Sequence, residues 1–187
     1  MRTRATILAL ALAGSVVGSA TAQVPTLQVF SDSSLKEPFI RCGTPNTWAE
    51  LFVVMRNVNF LVSAIDFSIS YSPYMVWLYD MLPDPDVMVQ IGNSPMGTAL
   101  AWAGCCTPDG SLGDIVVLRP VIYWPGYCRC GDSVVRVEGY APLGKTTPSV
   151  VRYPDFTEFD IIGMDTYFCP PIPVQPTTWG SVKALYR

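Results

Sequence analysis

From Ile65 to Tyr71 the chain reads Ile-Asp-Phe-Ser-Ile-Ser-Tyr, with apolar and polar residues in strict alternation. An extended strand turns successive side chains to opposite faces. Ile65, Phe67, Ile69 and Tyr71 therefore share one face, and Asp66, Ser68 and Ser70 share the other. A helix would scatter both sets around its circumference. The pattern predicts a half-buried strand, its first face in a core and its second toward water. Such a strand requires a partner layer to cover its apolar face.

Other stretches carry strand signals of the same kind. They are residues 27–30, 51–58, 87–91, 98–103, 115–124, 133–138 and 159–162. Residues 75–82 fit either a strand or one or two helical turns. Pro120 cannot donate a ladder hydrogen bond, which argues for an edge strand or a bulge within 115–124. Asp109-Gly110 and Gly113-Asp114 mark a turn between two strands. No stretch shows a long amphipathic helical pattern. Charged residues are only 14% of the chain, against about 25% in ordinary soluble domains. The predicted fold is all-β: a two-sheet antiparallel β-sandwich with disulfide-linked loops.

The N-terminus reads differently. Arg2 and Arg4 precede an apolar run over 7–17, and Ala20-Thr21-Ala22 supplies small residues for a peptidase. This order predicts a cleavable secretory signal over 1–22. The run is shorter than the roughly 20 residues a membrane span needs. The expected organisation is a signal at 1–22, a disulfide-linked sandwich at 23–169, and a tail at 170–187. Losing Arg2 and Arg4 leaves ten basic and fifteen acidic residues, a net charge near −5. With no basic cluster, nucleic acid is a poor partner. No later segment is apolar for long enough to span a membrane. The expected location is secreted or extracytoplasmic, at the cell surface or released.

Cys42, Cys105, Cys106, Cys128, Cys130 and Cys169 all follow the signal. An even count in an exported chain predicts three disulfides. Adjacent cysteines rarely bond to each other, so Cys105 and Cys106 should take different partners, as should Cys128 and Cys130. The simplest scheme joins the 105–106 turn to the 128–130 turn and ties the remaining two to Cys42 and Cys169. Zinc fits poorly, because the spacings are wrong and no histidine exists.

The absence of histidine removes Ser-His-Asp and Cys-His machinery and every His-metal site. Neither a phosphate-binding loop nor a dinucleotide fingerprint is present. Carboxylates remain: Asp84 and Asp86, Asp109 and Asp114, and Asp155, Glu158 and Asp160. Pairs such as Asp84 and Asp86, or Glu158 and Asp160, would suit a small secreted hydrolase. Loop acids could instead hold a structural Ca²⁺, with no other cofactor expected. Aromatics are the stronger lead, since exposed Tyr and Trp stack on sugars and anchor interfaces. Tyr71 and Tyr74 lie near Trp77 and Tyr79. Trp77, Tyr79, Trp102, Trp124 and Tyr127 form the candidate binding face. Tyr123 and Trp124 must face opposite sides of their strand, which sends one to the core.

After Cys169, Pro170-Pro171-Ile172-Pro173 begins an extended linker. Thr178 could cap a short helix carrying Trp179, Val182 and Tyr186 on one side.

The order of these features resembles a known architecture. A short strand ends at Asp32, then come Cys42, the run Ala49-Glu50-Leu51-Phe52-Val53-Val54, and Val62-Ser63-Ala64-Ile65-Asp66-Phe67-Ser68-Ile69. Over residues 27–138 this resembles the cohesin-like and carbohydrate-binding-module-like β-sandwiches of secreted bacterial proteins. The dense cysteines depart from typical cohesins, and no binding residue is carried across. The resemblance implies a non-catalytic binding or structural module for a protein or glycan partner. The alternatives are the carboxylate hydrolase and a surface-assembly subunit docking through 170–187.

Overall fold

The computed structural model describes residues 24–37, 39–83, 85–106, 113–127 and 133–169. The predicted signal, the C-terminal tail, Asp84, Asp109, Cys128 and Cys130 lie outside the described residues. So do the side chains of Cys105 and Cys106.

Fourteen strands are described: β1 Thr26–Phe30, β2 Phe39–Ile40, β3 Thr47–Glu50, β4 Phe52–Val58, β5 Leu61–Ser70, β6 Val76–Met81 and β7 Val87–Asn93. They continue as β8 Gly97–Cys106, β9 Gly113–Trp124, β10 Val134–Glu138, β11 Ser149–Tyr153, β12 Glu158–Asp160, β13 Ile162–Gly163 and β14 Thr166–Phe168. A 3-10 turn at Ala141–Leu143 is the helical element among the described residues. One sheet runs β13-β1-β4-β9-β3, with β6 on β9 as well. The other runs β12-β11-β5-β10-β14-β2, with β8 on β5 and β7 on β8. Most pairings are antiparallel. Two short edge pairs, β1 with β13 and β14 with β2, are parallel. Their members are far apart in sequence, so long connections can bring the chain back in the same direction.

The two sheets close over one apolar core. Leu27, Val29, Val53, Met55, Ile122 and Trp124 meet Ile65, Phe67, Ile69, Leu100, Val137 and Phe168. Trp124 and Phe168, from opposite sheets, pack edge to face at 5.7 Å between ring centroids. Thr166 Oγ1 donates to Val29 O across the layers at 2.9 Å. Ile65, Phe67 and Ile69 are buried, as the alternation requires, and Tyr71 packs half-buried against the core. Ser68 differs from expectation. It is buried, because the segment after β10 covers it and accepts its hydroxyl proton at Gly139 O, 2.7 Å away.

Pro120 is on an interior strand, not an edge. β9 pairs with β4 and β3 through one part of its length and with β6 as well. Pro120 O accepts from Leu51 N at 2.8 Å, but proline has no N–H to return. The ladder is therefore interrupted at Leu51, and what would be one strand becomes β3 and β4. Residues 75–82 resolve as strand β6, with a bulge between Trp77 and Tyr79.

Candidate binding face

The outer face of the second sheet carries two rows of neighbours fixed by register. Ile91, Ala99, Asp66, Ser149 and Asp160 form one row across β7, β8, β5, β11 and β12. Val89, Ala101, Ala64, Val151 and Glu158 form the other. Three alanines at the centre leave a shallow trough of about 250 Å³, walled by Val89 and Ile91 on one side and Leu143, Lys145 and Glu158 on the other. Ile91 is 57% exposed and Leu143 69%. Val89, at 46%, is the third exposed aliphatic side chain lining the trough.

Lys145 supplies the polar centre. Its Nζ donates to Asp66 Oδ2 at 2.6 Å, to Ser149 Oγ at 2.9 Å, and to Glu158 Oε1. Ser149 Oγ also donates to Glu158 Oε1 at 2.7 Å. Desolvation works against the ammonium, but its bonds to Asp66 and Glu158 outweigh this and raise its pKa. The Lys145 hydrogen bond, followed by that of Ser149, lowers the pKa of Glu158. The local backbone explains how a loop lysine reaches this position. Gly144 adopts φ 67° behind the 3-10 turn, a left-handed conformation suited to glycine. Gly139 lets the chain fold back tightly, since a Cβ there would stand 2.5 Å from the Lys145 carbonyl.

The expected aromatic face does not assemble. Trp102 and Trp124 are buried in the core. Each shares strand parity with a core residue, Leu100 and Ile122 respectively. Trp77 is half-buried, its Nε1 donating to Asp80 Oδ1 at 2.9 Å. Asp80 also accepts from Ser94 N at 2.7 Å and Ser94 Oγ at 2.6 Å, and Tyr71 OH lies 2.7 Å from that hydroxyl. Desolvation raises the pKa of Tyr71 and keeps it neutral. Tyr79 and Tyr127 are exposed. Trp48, on β3 and outside the predicted aromatic face, is 67% exposed.

Asp114 and Asp155 are held in separate ion pairs, whereas Glu158 and Asp160 share the outer face of the second sheet with Asp66. Arg56 Nη2 pairs with Asp114 Oδ2 at 2.9 Å, and Arg152 pairs with Asp155. Glu158 and Asp160 lie two residues apart on β12. Among the described residues no group of three or more His, Cys, Asp or Glu is placed to hold a metal. Cys42 Sγ and Cys169 Sγ approach to 3.8 Å from positions 127 residues apart. The two are brought to each other, not each to a cysteine of the 105–106 or 128–130 turn as the simplest scheme expects. No helix among the described residues is long and apolar enough to cross a membrane.

No protein-family model and no curated protein sequence matches the chain. Solved structures do. The cohesin of a type I cohesin–dockerin complex from Clostridium thermocellum superposes with a TM-score of 0.50 at 11% identity, covering 79% of this chain and all of that one. A cohesin module of a family 33 glycoside hydrolase from Clostridium perfringens gives 0.49 at 10% identity, covering 78% and 96%. A Clostridium acetobutylicum cohesin gives 0.48 at 14% identity, covering 81% and 95%. The fold is a cohesin-like β-sandwich.

Proposed function

We propose that this chain is a non-catalytic extracytoplasmic module that binds a protein partner on the outer face of β7, β8, β5 and β11. The observation that carries this reading is the exposed aliphatic wall of Val89, Ile91 and Leu143 around an alanine-floored trough. The trough admits an apolar ridge from a partner, and Lys145, Asp66 and Glu158 give it a polar register. The cohesin from Clostridium thermocellum, similar in fold, was solved in complex with a dockerin, which supports taking a protein as the ligand here. Support for an oxidising compartment is the approach of Cys42 and Cys169, and the order of residues 1–22. Non-reducing peptide mapping tests the disulfides.

The hydrolase reading has no comparable support. A general acid needs a raised pKa, whereas Lys145 lowers that of Glu158.

A photo-crosslinking residue at Leu143 tests the reading in protein secreted by its native host. The expected result is one dominant protein adduct, absent when the probe is moved to Thr26 on the opposite sheet. Equal labelling from both positions would refute it.

A further inference from the structure

The outer face of the first sheet differs in chemistry from the face just described. In β3, β9 and β6, Trp48 stands opposite Tyr123, and Tyr123 opposite Val76. In the next row, Glu50 stands opposite Val121, and Val121 opposite Tyr79. Trp48 is 67% and Tyr79 52% exposed. At roughly 4.8 Å between strands and two residues along them, Trp48 and Tyr79 are about 12 Å apart.

We propose that this surface is a second binding site, for a neutral polysaccharide chain, with Trp48, Tyr123 and Tyr79 as its stacking platform. Polar groups beside the rings bond to one another. Tyr123 OH donates to Asn46 Oδ1 at 2.9 Å. Arg119 and Glu50 form an ion pair beside them, with the guanidinium 5.6 Å from the Phe52 ring centroid. A pyranose has an apolar C–H face and a polar hydroxyl rim, and aromatic rings with polar tips match both. Charge selects further. Glu50 and Arg119 neutralise each other, so the strip offers neither a cationic cluster for an acidic polymer nor an anionic one for a basic polymer. The proposal is independent of the protein-binding face, because it uses a different sheet.

Affinity electrophoresis of the exported full chain tests it, with xyloglucan, glucomannan, xylan and a mixed-linkage glucan as neutral probes and pectate as the acidic one. At least one neutral polymer should retard the protein. Trp48→Ala and Tyr79→Ala should each weaken retardation about tenfold or more, the equivalent of about 1.4 kcal/mol. Each variant should keep the wild-type melting temperature. Ile91→Asp, on the other sheet, should bind these polymers as wild type does. The proposal is overturned if no neutral polymer retards the chain, if only pectate does, or if both aromatic variants bind unchanged. Loss through Ile91→Asp alone would move glycan binding to the other face and also overturn it.

Discussion

Lys145 Nζ stands 2.6 Å from Asp66 Oδ2, joining a loop to the middle of the alternating strand β5. The lysine places a cation among the carboxylates and aliphatic side chains of this face. Its partner is well shielded: the Asp66 side chain is only 18% exposed, and its Oδ1 is buried without a hydrogen-bond partner.

Lys145→Met should therefore destabilise the fold. It leaves a shielded carboxylate without its counterion. The cost should be about 1–2 kcal/mol, less than for a fully buried pair because both groups retain some solvent. Urea unfolding measures this, and adding Asp66→Asn should recover part of the loss.

The same cluster sets a pH dependence. Glu158 titrates lower in the folded chain than its ordinary 4.5, chiefly through the Lys145 hydrogen bond. Its contribution is present above that ordinary value and is lost as pH falls through the depressed one. The pKa of Lys145 is raised above 10.5. Its contribution is complete below that value and disappears as pH rises through the folded one. Melting temperature should be level between these limits and fall on acidification below about pH 4.5. The acid limb should be shallower in Glu158→Gln.

Gly43→Ala should be among the most damaging small substitutions. The added Cβ would lie 2.2 Å from Trp124 Nε1 and 2.3 Å from its Cδ1. Trp124 is fully buried and packs edge to face on Phe168, so displacing its ring disturbs the contact between the two sheets. Overpacking of this kind costs about 1–3 kcal/mol, visible as a lower denaturation midpoint with an unchanged slope.

Asp80→Ala should loosen the β6–β7 end of the sandwich. It removes the acceptor shared by Trp77 Nε1, Ser94 N and Ser94 Oγ. Donors left unsatisfied cost about 1–3 kcal/mol. Hydrogen exchange should quicken at Ser94 and Ile69, whose amide bonds to Ser94 O, with little change at Leu27.

The strands were legible wherever composition and period agreed. β5 was plain because its alternation is strict, and β1, β7, β8 and β10 followed from β-branched and aromatic runs. β11 was missed: Ser149–Tyr153 lies between Pro148 and Pro154 and reads as a connection, although Val150 is fully buried. The aromatic face failed for a different reason. Crowding in sequence says nothing about which side of a strand a ring occupies. Parity does, since Trp124 follows Ile122 by two residues and Trp102 follows Leu100. Trp48 is not legible as part of an aromatic row because Tyr123 comes beside it only through the β3–β9 pairing. Lys145 could not be foreseen, since its role depends on the tight backbone approach at Gly139 and on a register between strands distant in sequence.

The protein-binding face is tested most directly by titrating the cross-linked partner, once purified, against the full chain by calorimetry. Wild type should bind with a negative heat-capacity change. Ile91→Asp should weaken binding at least about tenfold without lowering the melting temperature, while Trp48→Ala should bind the partner normally. Undiminished affinity in Ile91→Asp and in a second variant, Val89→Asp, would contradict the assignment.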